Sequence, residues 1–576
     1  MVVKRRVGIL LAGTVLGGSV LTAPAFAQSA QSTQQLQNEI NALQQQVQAL
    51  EAQRSIPSNL YNNGAAPIVT KGPPSWLGGI HFSFAGSYLE AVGSWYQHND
   101  LSSPAELQTL NSGVPFQNSP LYYEPVSGFS AQGTRIAAKA WGDIDPAQHL
   151  TGYYEMDFLG AATTSTLRQT DSYTPRIRQG WLEYDNDNYH FHFVGGQQWS
   201  LATANKFGAL PLSENVPIDI DYQVVAGFTY ARQPALRFVE DWNKIAWFGI
   251  SVEQSQTNFA SNSIGVINGP QQGVAASQGI AAAANIGGGG AASPPGLVEN
   301  VLNVCASAGG LNSVTGCSVN TYPDIIEKAA LDPGWGHYEA FAIERFFTDA
   351  VAATATPNSW AQNTKTGWGV GGSTLLPVWP KVIDLQGSVL YGEGVGRYGA
   401  AQLPDAVVGG NGALSPITNL QFLAGVVVHP LPPVDVYAYY GQEQDYENAW
   451  NIAGTHGGFG NSAFGNTGCA VENLAAGPAG LNDPVGGVTA SQPIALSCTA
   501  NIARVQEFVI GFWHWAYKGD LGAIKWGIEY EYLKLTAFGG TTAIPAGGAA
   551  EGAVANAGLS PYNQAVFFSV RYYPFN

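Results

Sequence analysis

Six basic residues fall at spacings that matter if their segments are extended. Arg135 and Lys139 lie on one face of a strand, with Ile136 and Ala138 on the other. Arg176 and Arg178 share a face, and Arg232 and Arg237 flank a Gln-Pro break. Same-face neighbours on a strand stand about 7 Å apart, close enough to build a basic wall. A guanidinium presents a planar fork of donors suited to transient contact with carboxylates. The chemistry this offers is selection of anions by lining charge and width rather than bond making. Glu155, Asp157, Glu183 and Glu253 are expected on the same faces. The arginines therefore have two expected states, an open basic wall or ion pairs with these acids. The acidic strands expected over 381–393 and 522–537 count against strong anion selectivity.

Other chemistries find less support. His190 and His192 alternate with Tyr189, Phe191 and Phe193, but a metal site needs a third ligand, and the sequence offers none nearby. Gly392-Glu393-Gly394-Val395-Gly396 lacks nucleotide-fingerprint spacing and reads as a strand-to-loop bend. No G-x-S-x-G elbow occurs in a strand–turn–helix setting. The expectation is no enzyme, no catalytic residue, no metal and no cofactor. Cys305, Cys317, Cys469 and Cys498 suggest two disulfides in an exported chain. Local pairing, Cys305 with Cys317 and Cys469 with Cys498, is the simplest of three connectivities.

The elements that must position these side chains are strands. Ile524, Trp526, Ile528, Tyr530 and Tyr532 alternate with Lys525, Glu529 and Glu531, and Tyr154, Met156 and Phe158 alternate with Tyr153, Glu155 and Asp157. Period-2 runs predict strands at 80–97, 131–142, 149–161, 174–185, 189–198, 231–240, 243–255, 323–331, 336–348, 364–376, 381–393, 417–428, 434–444, 501–516, 522–537 and 562–575. The gaps alternate long and short. Short ones carry turn chemistry, as in Asp143-Ile144-Asp145-Pro146, Asp185-Asn186-Asp187-Asn188 and Lys518-Gly519-Asp520. An even set of strands with turns at one end and long loops at the other is the plan of a transmembrane barrel of sixteen antiparallel strands. Alternation alone does not separate it from a soluble sandwich. The loop 199–230 has two expected states, folded inward to narrow the pore or an ordinary surface loop.

Composition fits this class. The chain has 576 residues, of which 45% are hydrophobic and only 11% charged, with 70 glycines. Its formal net charge of −17 disfavours a nucleic-acid partner. Residues 1–27 read as a signal peptide: Lys4, Arg5 and Arg6, then an apolar stretch, then Ala25-Phe26-Ala27. Residues 28–56 carry a heptad seam, Leu36, Ile40, Leu43, Val47 and Leu50, expected to form a periplasmic coiled coil. A linker, 57–79, leads into the barrel, 80–576.

The final strand, Ala565 to Asn576, resembles the C-terminal β-signal of outer-membrane proteins, although Asn576 follows the aromatic Phe575. An ordered series of segments resembles the DcaP-like trimeric porin family. It comprises Arg176-Ile177-Arg178-Gln179-Gly180-Trp181, Gly195-Gly196-Gln197-Gln198-Trp199-Ser200, Arg232-Gln233-Pro234 with Arg237, Tyr322-Pro323-Asp324-Ile325, Gly334-Trp335-Gly336-His337 and Tyr391-Gly392-Glu393-Gly394-Val395-Gly396-Arg397-Tyr398. The series covers most of 80–400 in order; beyond 400 only the barrel pattern applies. The resemblance implies a sixteen-stranded homotrimer in the outer membrane of a Gram-negative bacterium and passive diffusion of small solutes. It also implies a preference for anions such as dicarboxylates. Expected partners are a second and third copy of the chain, outer-membrane lipid, small anionic solutes and, for the coiled coil, peptidoglycan. The alternatives are a barrel-anchored tether to the cell wall and an outer-membrane hydrolase.

Overall fold

The computed structural model describes residues 79–98, 114–116, 120–160, 174–258, 260, 321–352, 360–410, 413–452, 455–462, 501–540 and 559–575. The expected signal peptide, coiled coil and most of the linker lie outside the described residues, as do all four cysteines.

Strands dominate. In chain order they are β1 (His81–Ser83), β2 (Leu89–Tyr96), β3 (Val126–Ser130), β4 (Ile136–Asp145), β5 (Gln148–Asp157), β6 (Arg176–Asn186), β7 (Phe191–Trp199), β8 (Arg232–Trp242), β9 (Ala246–Glu253), β10 (Asp324–Leu331) and β11 (His337–Ala352). Then follow β12 (Trp360–Trp379), β13 (Ile383–Glu393), β14 (Ala406–Val408), β15 (Leu414–Pro416), β16 (Thr418–Leu431), β17 (Val434–Asp445), β18 (Asn448–Ile452), β19 (Thr455–Phe459), β20 (Ile502–Gly519), β21 (Gly522–Ala537) and β22 (Tyr562–Tyr573). Among the described residues the only helical pieces are two short 3₁₀ turns, Pro120–Tyr123 and Gly396–Tyr398. No helix there is long and apolar enough to cross a membrane.

Eighteen of the strands form one sheet. Each long strand pairs antiparallel with its neighbours in sequence, and β2 pairs with both β3 and β22, so the first and last parts of the sheet are joined (Leu89 opposite Tyr572, Tyr96 opposite Ala565). The strand count exceeds the sequence expectation because the first expected strand, 80–97, is interrupted and β3 precedes the second, expected to begin at 131. β1 and β2 are parted at 84–88, β3 and β4 at 131–135, and the single bridge Tyr88–Arg135 links the breaks. Gly86, at φ 91°, makes the first break possible. The sequence pattern also missed two small hairpins, β14–β15 and β18–β19, in long connections. Turns are tight: Asn243 and Lys244, both at positive φ, reverse the chain between β8 and β9.

The sheet's polarity is the reverse of a soluble sandwich. Leu89, Phe129, Ile177, Leu182, Leu236, Phe248, Val370, Phe508, Ile510, Ile528 and Phe568 are exposed, Phe129 at 88%. Glu90, Glu155, Asp157, Arg178, Glu183, Arg237, Lys328, Arg345, Glu507, Lys525, Glu529 and Arg571 are buried on the opposite face. Exposed apolar side chains at strand spacing would forfeit roughly 1.5–3 kcal/mol each in water relative to burial. An alternation of this sense suits a sheet whose outer face meets hydrocarbon.

Candidate functional site

The segment 200–230 lies against the buried face and is itself almost wholly buried. A loop taken out of water must find acceptors for its backbone N–H groups, and here strand carboxylates supply them. Glu253 accepts from Leu201 N (2.8 Å), Glu339 from Asn205 N (3.2 Å), and Glu529 from Ile220 N and Asp221 N (2.7 and 3.1 Å). Glu507 accepts from Ala226 N (2.7 Å), and Glu443 from Gly227 N (2.8 Å) and Ala401 N (2.9 Å). Strand cations hold loop carbonyls. Arg237 donates to Trp199 O (2.6 Å) and Ala209 O (3.2 Å), and Lys328 Nζ donates to Thr203 O (2.6 Å). These anchors come from strands across the width of the sheet, β8 to β11 on one side and β17, β20 and β21 on the other.

A second connection, 394–417, packs on the first. Tyr230 N donates to Tyr398 O (2.7 Å), Ala400 N to Phe228 O (3.0 Å), and the Gln223 side chain to Ala400 O. Gly394, at φ 77°, turns the chain out of β13, as the glycine spacing predicts. Arg397 (2.7 Å) and Arg345 (3.1 Å) both hold Asp324, and the Tyr398 hydroxyl donates to the same carboxylate at 2.8 Å.

The sequence-predicted residues divide. Arg178 bonds Glu155 Oε1 through Nε (2.5 Å) and Asp157 Oδ2 through Nη1 (2.9 Å). Arg176 grips Asp157 with a fork, 3.0 and 2.8 Å, and Arg135 stands 3.6 Å from Glu155. The acids are fully buried, so these arginines are ion-paired rather than an open wall. A β-bulge explains the crowding. The β5–β6 register shifts between Glu155 and Met156, so Arg178 and Gln179, adjacent in sequence, both face the buried side. Arg232 lies over the rings of Trp199 (4.8 Å) and Tyr230 (5.1 Å). Lys139 lies over Trp141 at 5.7 Å, and Arg237 is given to the loop.

A cavity opens beside the loop. Arg135 and Arg178 line it with three cations that sequence reasoning missed as site residues, Lys206, Lys525 and Arg571. Facing them are Glu214, Asp219 and Asp221 of the loop. Arg571 bonds Glu90 (2.7 Å) and stacks on Trp513 (4.5 Å) and Tyr88 (5.0 Å); Lys525 lies 3.9 Å over Trp513. The signal for Lys525 and Arg571 was their place on the polar face of the last two strands. Nothing in sequence spacing joins them to Arg135 and Arg178. Burial pushes the Glu214 carboxyl up to about 7. Burial, then the neighbouring Glu529 and Asp221, pushes Asp219 well above its ordinary range. Lys206 is lowered by burial to about 8. Near neutral pH the loop acids therefore oppose the cations less than their number suggests.

At the short-turn end, histidines sit between carboxylates. His149 lies 2.6 Å from Asp143 and 3.4 Å from Asp187; His192 lies 2.6 Å from Asp185 and 3.1 Å from Asp241. His337 is held by Asp332 and Glu339 at 2.7 and 3.1 Å, and His429 by Asp435 and Asp384 at 2.6 and 3.4 Å.

No family model matches the chain, and no curated protein matches it. Among solved structures it is similar to the outer membrane channel DcaP of Acinetobacter baumannii, at 14% identity and a TM-score of 0.49, over 86% of this chain and 97% of that one. An anion-selective porin from Comamonas acidovorans is similar at 10% identity and a TM-score of 0.40, over 86% and 98%. OmpT in trimer form, an outer membrane protein of Vibrio cholerae, is similar at 10% identity and 0.36, over 86% and 98%.

Proposed function

We propose that the chain is an outer-membrane porin: a closed sixteen-stranded barrel, counting β1 with β2 and β3 with β4 as single crossings. It passes small hydrophilic solutes by diffusion, with a preference for small anions such as carboxylates. The observation that carries the reading is the inverted sheet, apolar on its exposed face and charged on its buried face, with 200–230 folded against the charged side. The pairing of β2 with β22 supports closure, since a closed sheet leaves no edge in lipid. Exposed Trp242, Trp335 and Trp379 at the turn end fit one aromatic girdle. A tether would favour a lumen packed with apolar side chains, whereas this cavity sets five cations and three acids among its apolar and aromatic lining.

Selection falls to Arg135, Arg178, Lys206, Lys525 and Arg571, with the loop acids as counterweight. The homotrimer and the periplasmic coiled coil rest on the motif series and the heptad seam. Neutralising Arg178 is a poor first test, because stranding a buried carboxylate costs about 3–5 kcal/mol. The double variant Lys206→Gln/Lys525→Gln is preferable. Reversal potentials in a planar bilayer under a salt gradient should show anion preference in the parent and a smaller preference in the variant. Cation preference in the parent would move the selective role to the acids, and no conductance from folded protein would favour the tether.

A further inference from the structure

The pairing of β6 with β7 does what sequence spacing could not. It sets Asp185 directly opposite His192 and Glu183 opposite Val194, so two carboxylates of one strand meet the histidine of the next. One ligand atom each of Glu183, Asp185 and His192 lies within 4.8 Å of the others. We propose that these three residues form a zinc-class divalent cation site on the buried face near the short-turn end, with Asp241 orienting the imidazole.

Three observations carry it. The donors are one imidazole and two carboxylates, a set that suits Zn²⁺ and leaves a fourth position for water. Glu183 and His192 are buried and Asp185 nearly so, unlike solvent-exposed acids that gather without an ion. His192 Nδ1 faces Asp185 at 2.6 Å while Nε2 lies 3.1 Å from Asp241. That is the arrangement in which a metal-bound histidine donates its remote N–H to a second carboxylate. His149, His337 and His429 are also held between two carboxylates, but among the described residues only the His192 group meets the geometry for three metal ligands.

The site does not depend on the channel reading, because its test measures binding to the folded chain. The purified full-length protein in detergent is titrated with Zn²⁺ by calorimetry, with Mg²⁺ as an oxygen-seeking comparison. One saturable Zn²⁺ site is expected, with no comparable Mg²⁺ binding. His192→Gln and Asp185→Asn should each weaken it by roughly 100-fold or more, and Asp241→Asn by about 10–100-fold, the usual effect of losing an orienting carboxylate. His429→Gln should leave affinity and stoichiometry unchanged. Heat-modifiable migration on gels checks that each variant is folded. Absence of saturable Zn²⁺ binding to the parent, or equal binding by folded His192→Gln and Asp185→Asn, would overturn the assignment.

Discussion

Removing Glu529 should loosen the inward loop without unfolding the sheet. Glu529 accepts from Ile220 N, Asp221 N and the Tyr437 hydroxyl. In Glu529→Ala the two amides lose their acceptor in a buried setting, at about 1–3 kcal/mol each. The sum, roughly 2–6 kcal/mol, shifts the balance between docked and undocked loop by about 30-fold or more. Glu529→Gln keeps one acceptor oxygen but aims a donor at the amides, so it should fall between. The remaining anchors, Glu507 and Glu443 among them, stay in place, and the detachment should be local to about 216–224. Single-channel recording is the assay: Glu529→Ala should open to a larger, noisier level, Glu529→Gln less so. Hydrogen exchange should show lost protection at Ile220 and Asp221. A variant with parental conductance, parental noise and unchanged protection at those amides would refute the view that carboxylates hold the loop in.

Three further outcomes are expected. Anion preference should fall as pH rises through about 7, because Glu214 is neutral below and charged above that value; Lys206, which loses charge near 8, adds to the fall. Reversal potentials between pH 6 and 8.5 check this, and Glu214→Gln should leave only the upper part of the change. Ile528→Arg places a charge on the exposed apolar face and should destabilise the barrel in lipid by roughly 2–4 kcal/mol if it lies near mid-membrane, read from urea unfolding in vesicles. Deleting 31–54 should leave heat-modifiable barrel but weaken assembly, read from native gels.

Strand positions were legible because the period-2 signal repeats and turns punctuate it. The expected 522–537 coincides with β21, and 434–444 differs from β17 by one residue. The break between β1 and β2 was not legible, since alternation continues across Tyr88 while the ladder does not, and β3 fell outside the expected 131–142. The sharing of a face by Arg176 and Arg178 was readable; their capture by Asp157 and Glu155 depends on a bulge that no local pattern announces. The cavity gathers Arg135, Arg178, Lys206, Lys525 and Arg571 from segments hundreds of residues apart. Likewise, the partners of His192 come from register across a strand pair.

The anchoring of 200–230 through main-chain amides has one more effect. Glu253, Glu443, Glu507 and Glu529 grip groups that every residue except proline possesses. These moorings therefore do not depend on which side chains the loop carries at the gripped positions. Asp219, which lines the cavity, can be exchanged to retune the lining while these moorings stay as they are. In the proposed porin, attachment and filtering are thus partly separable properties, and a new solute preference can be reached by small steps along one segment.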